Sequence, residues 1–397
     1  MERYVQAVDR AAIGETSSGV SGSSHRISAN RHDLAAQPPA RSRPVASCHA
    51  ARPRGRFGRD RMLTIHRRSV VLGVLGAAAA SSRATAQSPV KWDMYSMVGV
   101  THPITLRYKA FADEVKTATG GKLDIIVRPA GELPFRATEV VKVTGDNQVQ
   151  LSEGYQGFIS GAVPLASIAS LPFLVRNGEE LEKVWPIIDK YTAVEFKKSG
   201  VQTLFHHTWP VQNIFGRGKP IKTVDDFKGR KIRSTDGKQA EMLKQLGASS
   251  VSLTTAEVPV AMERGVAEGF ITAGFNIIGA KWYEFVQWGW LGDVHIGGPD
   301  YTLVNVAAYD KLDADTRAKL DAVAKDYAPR FRAANLGDEA KDLDTLKTKY
   351  KVDLFVPPKE QVDALIEKMK PYWEQWASGH GANGVAMLKE IRAALGK

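Results

Sequence analysis

The stretch from Gly229 to Thr272 limits the possible folds most, because each short apolar run in it is followed by its own turn or capping signal and then by a helical pattern. Gly229 precedes Arg230–Ser234, which reads as a strand, and Thr235-Asp236-Gly237 turns the chain into a helix reaching Leu246, with Gly247 as its C′ residue. Val251–Leu253 is the next strand, and Thr254-x-x-Glu257 is a capping box that opens a helix running to Arg264 and stopping at Gly265. Glu268–Thr272 is extended again. This rhythm of strand, helix, strand, helix, strand is α/β construction.

The rest of the chain from Val90 onward keeps the rhythm. Lys91–Ser96 and Lys122–Arg128 read as strands around a helix with Ile104, Tyr108, Phe111, Val115 and Ala118 at spacings of four and three. Arg136–Val143 and Glu179–Phe196 read as helical, the second with a bend at Pro186, while Val149–Tyr155 and Val201–His206 read as extended. A helix carrying Ile277, Ile278, Trp282, Phe285 and Val286 leads to Trp288 and Trp290. Leu320, Val323, Tyr327 and Phe331 mark a long helix with a bend at Pro329, and Val362, Leu365, Met369, Trp373 and Trp376 mark a C-terminal one.

Charge and composition divide the chain at about residue 86. The net charge of +11 raises the question of a nucleic-acid or membrane partner. Residues 1–86, however, hold 14 arginines and 5 acids, which leaves 40 bases and 38 acids for the remainder. The C-terminal helices mix both signs of charge, so no nucleic-acid stripe is expected. Residues 1–61 lack any periodicity and are expected to be disordered, and a start at Met62 would leave them untranslated. Arg67-Arg68, the apolar Val70–Ala80 and Ala84-Thr85-Ala86 match the three regions of a secretory signal, so residues 62–86 are expected to be cleaved before Gln87, by Sec or twin-arginine export. That apolar run of 11 residues falls short of the roughly 20 a membrane helix needs. The sole cysteine, Cys48, lies in the leading segment, so the body has neither a disulfide nor a thiolate metal site.

Neither a nucleophile elbow, a His-Glu-x-x-His helix, a phosphate loop nor a dinucleotide fingerprint occurs, and no enzyme, cofactor or metal site is expected. His206-His207 reads as a structural pair, since neighbouring strand residues face opposite ways and no carboxylate is near in sequence. Arg233 stands out instead. It closes a predicted strand, where open α/β sheets bind ligands, and the following helix N-terminus favours an anion. Its guanidinium offers a planar fork that matches a carboxylate. Trp209 and Tyr155 also end predicted strands, where half-wet pockets use aromatic rings, and Phe275 reads as core.

The run from Pro220 to Glu284 resembles the solute receptors of TRAP transporters, the DctP-like family. The matching residues are Pro220-Ile221-Lys222-Thr223, Asp226-Phe227-Lys228-Gly229, Lys231-Ile232-Arg233, Leu246-Gly247-Ala248, Glu257-Val258, Gly265-Val266-Ala267-Glu268-Gly269 and Ala280-Lys281-Trp282-Tyr283-Glu284. A weaker likeness runs through Pro129–Leu133 and Leu171-Pro172-Phe173. The resemblance implies an α/β, two-lobed periplasmic solute-binding fold with a hinge and a long helix spanning both lobes. By that reading residues 87–209 and 298–337 form lobe I, and 210–297 and 338–397 form lobe II. It further implies a monomeric receptor that captures a small organic acid by hinge closure and hands it to small and large membrane subunits, with Arg233 pairing the substrate carboxylate. Gln212 stands where sialic-acid-type members carry a second arginine, Thr272 replaces the usual amide donor, and Thr255 replaces an aromatic residue. These departures point to a different ligand, a monocarboxylate. An ABC-type or ligand-sensing receptor and an exported carboxylate-processing enzyme are the competing readings.

Overall fold

The structure is a computed structural model, and it describes residues 88–397. The segments read as disordered and as a secretory signal lie outside the described residues.

Nine strands form one mixed sheet built around two unusually long ones, β4 (Val201–Gly216) and β8 (Trp288–Asn305), which pair antiparallel along their length. One parallel wing consists of β1 (Val90–Tyr95), β2 (Leu123–Arg128) and β3 (Leu151–Tyr155); β3 joins β8 through residues 300–304. The other consists of β5 (Lys231–Ser234), β6 (Ser249–Ser252) and β7 (Gly269–Thr272); β7 joins β4 through residues 213–216. The two wings therefore hang on opposite ends of the β4–β8 ribbon. A short β9 (Asp353–Phe355) adds to β8 at Trp288–Trp290.

Helices cover the wings because their apolar stripes have nowhere else to go. α1 (Pro103–Ala118) buries Ile104, Tyr108, Phe111 and Val115 completely, each worth about 1.5–3 kcal/mol. α2 (Val140–Gly145) and α3 (Gln156–Ile159) flank β3, and α4 (Gly178–Lys198) runs unbroken through Pro186. In the second wing, α5 (Gly237–Gln245), α6 (Val258–Glu263) and α7 (Gly274–Gly279) follow β5, β6 and β7. After β8 come α8 (Val306–Asp310) and the 35-residue α9 (Ala314–Thr348), which also continues through its proline, Pro329. α9 reaches both wings. Asn335 and Asp338 accept from Arg107 of α1, and Glu339 accepts from the first amides of α7.

The C-terminal region holds two helices rather than one, α10 (Lys359–Gly379) and α11 (Gly381–Leu395), separated at His380. They bond to α4 through Lys190–Glu390 and to the end of α5 through Lys368 and the Gln245 carbonyl.

The main departure from the sequence reading is the length of β4 and β8. The expected strand stopped at His206, and the second was not read at all. Pro210, Gly289, Gly292, Gly297 and Pro299 look like breakers, but the ribbon absorbs them in register shifts, three of which fall between His207 and Ile214. The helix expected from Ile277 to Val286 ends at Gly279, and Lys281 adopts a left-handed conformation before a 3₁₀ turn at Trp282–Glu284.

Candidate functional site

The parallel strands of both wings point their carboxyl ends at one cavity, as open α/β sheets do at their binding crevices. The six expected residues all line it: Tyr155 at the end of β3, Arg233 in β5, Thr272 at the end of β7, Thr255 just beyond β6, and Trp209 and Gln212 in β4. Trp209 lies in mid-strand, because β4 does not end where the sequence placed its end. The empty space between these side chains is about 280 Å³ when the part open to solvent is counted with it. Five further residues complete it, namely Met97, Phe158, Thr235, Ile271 and Asn276. Met97 and Phe158 sit in loop and short-helix positions that carry no periodic signal, and Asn276 reads in sequence as an ordinary helical polar residue.

Arg233 is only 2% exposed, and among the described residues no carboxylate lies within 4.0 Å of its guanidinium. Its Nε and Nη2 donate to the Leu253 carbonyl at 2.8 and 2.6 Å, and Nη1 donates to the Ile271 carbonyl at 3.1 Å. A guanidinium has five N–H groups, so one remains on each terminal nitrogen. Burial pulls its pKa down to about 10, opposed by Tyr155, Glu257 and Asp236, so it is charged at neutral pH. A buried cation held by carbonyl dipoles alone favours an incoming anion.

The anion-favouring helix terminus expected beside Arg233 is already taken. Asp236 caps α5, accepting from the amides of Lys238 and Gln239 at 2.9 and 3.0 Å, and its other oxygen accepts from Ser170 at 2.8 Å. The position thus holds an internal carboxylate, and the cavity relies on Arg233 and hydroxyl groups instead.

Other polar groups in the cavity divide into committed and uncommitted ones. Trp209 donates through Nε1 to Asp300 at 2.6 Å, Gln212 donates to the Pro210 carbonyl at 2.8 Å, and Asn276 donates to Thr272 at 3.1 Å. The Tyr155 and Thr235 hydroxyls and Asn276 Oδ1 are buried without a partner. Phe275 is fully buried against His102 and Trp209, as core.

The paired histidines do face opposite ways, but the fold brings each a carboxylate from far along the chain. His206 stacks on Trp185 at 3.8 Å and meets Glu182 at 3.1 Å. His207 contacts the Tyr108 hydroxyl at 3.0 Å and shares a buried cluster with Glu153 and Asp300, whose nearest atoms lie within 4.8 Å of one another. Burial raises both acids, Glu153 to about 7 and Asp300 well above its ordinary value, the latter also through the neighbouring charge of Glu153. The Asn335 amide nitrogen faces His207 Nδ1 at 3.4 Å and donates to the Thr208 carbonyl at 2.8 Å.

Residues 95–379 match the family described as bacterial extracellular solute-binding protein, family 7. The chain is 24% identical over 332 residues to the outer membrane transporter protein TsaT of Comamonas testosteroni, spanning 75% of this chain and 89% of the relative. It is 24% identical over 273 residues to the sialic acid-binding periplasmic protein SiaP of Vibrio cholerae, spanning 66% and 81%. Its fold superimposes with a TM-score of 0.71 on DctP7 of Bordetella pertussis, an extracytoplasmic solute receptor binding pyroglutamic acid, at 25% identity and covering 76% of this chain and 99% of that one. A TRAP periplasmic solute binding protein of Chromohalobacter salexigens with bound d-glucuronate, 18% identical, gives 0.70 over 76% and 99% and shows the same two-lobed fold. With well over half of its length matching that family, and a cavity built where its two sheet wings converge, this protein belongs to the bacterial extracellular solute-binding proteins of family 7.

Proposed function

We propose that this protein is the extracytoplasmic receptor of a TRAP-type transporter, and that it captures a small organic acid whose carboxylate pairs with Arg233. The observation that carries the reading is the guanidinium itself: 2% exposed, without a carboxylate partner among the described residues, and keeping one N–H on each terminal nitrogen. Tyr155, Trp209, Gln212, Thr255 and Thr272 surround the bound acid. No second cation lines the cavity, which favours one carboxylate over two. The related Bordetella pertussis receptors, which bind pyroglutamic acid, make that lactam acid the first probe.

Lobe I takes residues 87–209 and 298–337, and lobe II takes 210–297 with the chain after 337, so two of the three crossings fall where the register of β4 on β8 shifts, at Trp209–Val211 opposite Gly297, and the third lies within α9. Such irregular pairing gives a ribbon its bending point. Closure over the acid then presents the loaded form to the membrane subunits. The acid is released unchanged, since nothing in the cavity supplies a nucleophile with its base. Residues 62–86 direct export, and amino-terminal sequencing of the secreted protein should begin at Gln87.

Thermal-shift and calorimetric titration against mono-, di- and keto-carboxylates tests the reading, because a ligand that binds only the folded state raises its apparent stability. The wild type should respond to at least one monocarboxylate. Arg233→Ala should lose about 3–5 kcal/mol of affinity, roughly two to four decades in Kd. Equal binding by the alanine variant would sink the reading, and conversion of the bound acid would favour an enzyme.

A further inference from the structure

Glu153 and Asp300 meet behind the wall of the cavity, and neither reaches solvent. In the β3–β8 ladder Glu153 stands opposite Thr302 and Tyr155 opposite Asp300, so the two acids are diagonal neighbours on one face of the sheet. One oxygen of each is taken. Glu153 Oε2 accepts from the Ser96 hydroxyl and the Met97 amide at 2.9 Å each, and Asp300 Oδ2 accepts from Trp209 Nε1 at 2.6 Å. The other oxygens, Glu153 Oε1 and Asp300 Oδ1, receive no N–H or O–H from the residues around them, although the two carboxyls are within hydrogen-bonding reach of each other.

Two carboxylates so close and so dry cannot both stay ionised without a cation. Among the described residues no lysine or arginine lies within 4.0 Å of either, and the imidazole beside them, His207 at 3.8 Å from Asp300, is kept neutral by its own burial. The remaining titratable neighbour, Tyr108, touches His207 and Thr302, and burial keeps its phenol protonated. A carboxylate can only accept, whereas a carboxylic acid has one O–H to give. With N–H donors fixed at both outer ends, a single proton between the carboxyls satisfies every atom. Without it two anions face each other, and a second proton would find no acceptor.

We infer that Glu153 and Asp300 hold one proton between them and act as positioning residues, bracing Trp209 and the Met97 backbone as walls of the acid-binding cavity. The chain of bonds runs from Met97, just past β1, through β3 and β8 to the indole on β4. Met97 and Trp209 both line the cavity, and Trp209 stands at the register shift opposite Gly297. A buried indole N–H without its acceptor carries a desolvation penalty, so the bond to Asp300 fixes the tilt of the ring beside the bound acid.

Amide replacements test this, because an amide puts a donor and an acceptor at opposite corners. In Glu153→Gln or Asp300→Asn the amide oxygen takes over the outer bond and the NH2 donates inward to the remaining carboxylate, so each single variant imitates the shared proton. The double variant sets NH2 against NH2, or turns one of them onto the N–H of Met97 or Trp209. The first readout is hydrogen exchange of the Trp209 indole N–H in the full chain, its resonance identified by its loss in Trp209→Phe. Exchange in each single variant should stay within about threefold of wild type, and in the double variant it should be at least about tenfold faster. A double variant protected like the singles, or a single variant that loses protection, overturns the inference. If the double variant does not fold, protection kept in both singles still supports the shared proton, and its loss in either still overturns it. Affinity for pyroglutamate, the second readout, rests on the reading of Arg233 as the carboxylate partner. Each single variant should bind within about threefold of wild type and the double about tenfold more weakly. A double variant that loses protection yet binds as wild type does overturns the positioning role. If Arg233→Ala binds pyroglutamate as tightly as wild type, the Arg233 reading fails while the exchange rates still decide the pair.

Discussion

Arg233 and Glu339 are both nearly sealed from water, at 2% and 1% exposure, and the protein treats these two ionisable groups in opposite ways. Glu339, on α9, spends each oxygen on one backbone amide at the start of α7: Gly274 at 2.9 Å and Phe275 at 2.7 Å. There is no room for anything else, since a Cβ on Gly274 would meet Leu343 at 2.8 Å and Glu339 itself at 3.3 Å. Arg233 bonds to two carbonyls and keeps donors in reserve beside free space. A buried ionisable group whose bonds close within the chain is structural; one with unused donors aimed at a cavity is arranged for something that arrives later. Both groups matter to the same site, because α7, which Glu339 fixes, carries Asn276.

That contrast is broken most directly by removing each side chain and measuring urea unfolding without ligand. Glu339→Ala strands two backbone amides and leaves a void, so it should cost about 3 kcal/mol. Arg233→Met removes three hydrogen bonds but also a buried charge without an ionic partner, and stability should change by less than about 1 kcal/mol. If the methionine variant loses as much as the alanine one, Arg233 is structural and the distinction fails.

What the sequence made legible follows from where its signals are local. The wing from Lys231 to Thr272 was readable because Gly229, Thr254, Glu257 and Gly265 punctuate it, and Arg233 was readable because a strand end is a position that chain order alone defines. Tyr155, Trp209, Gln212, Thr255 and Thr272 share its cavity, though nothing local brings positions from the two sheet wings together; the long strands do that. β4 and β8 were hidden because their pairing tolerates Pro210 and a series of glycines through bulges, which only a partner strand can stabilise. Asn276 was hidden for another reason: a polar residue inside a helical pattern reads as solvent-facing, and only the packing of α7 beside the cavity makes it part of the lining.

A smaller effect sharpens the reading of Glu339. Burial raises its pKa to about 7, while its two amide donors act the other way. A carboxyl raised above its unfolded value of about 4.3 stabilises the fold below that value, and the contribution is lost as pH climbs through about 7. The stability of wild type relative to Glu339→Gln, which cannot titrate, should therefore fall between about pH 4 and about pH 7. His102 works in the opposite sense: held neutral down to about pH 3, it costs stability as pH drops below about 6.5, where the unfolded ring takes a proton. The difference between the two variants isolates the carboxyl, because His102 is common to both. A difference that stays flat would mean that Glu339 is ionised in the fold, and that its amide donors outweigh burial.

The smallest effect lies at the rim of the site. Arg136 pairs with Glu257 at 2.5 Å, joining the turn before α2 to the capping box after β6, so the contact ties together the two lobes proposed above. Its side chains are 63% and 36% exposed, and exposed pairs contribute about 0–1 kcal/mol. Glu257 also accepts from the Thr254 amide and hydroxyl at 2.7 Å each, so that residue has a structural task and is the wrong one to change. Arg136→Ala should leave the unfolding midpoint nearly untouched and speed ligand release by about fivefold or less, an effect that about 0.5 M salt should erase by screening. If release is unchanged at low salt, the pair does not help hold the lobes shut, and closure rests on the buried contacts around Arg233 alone.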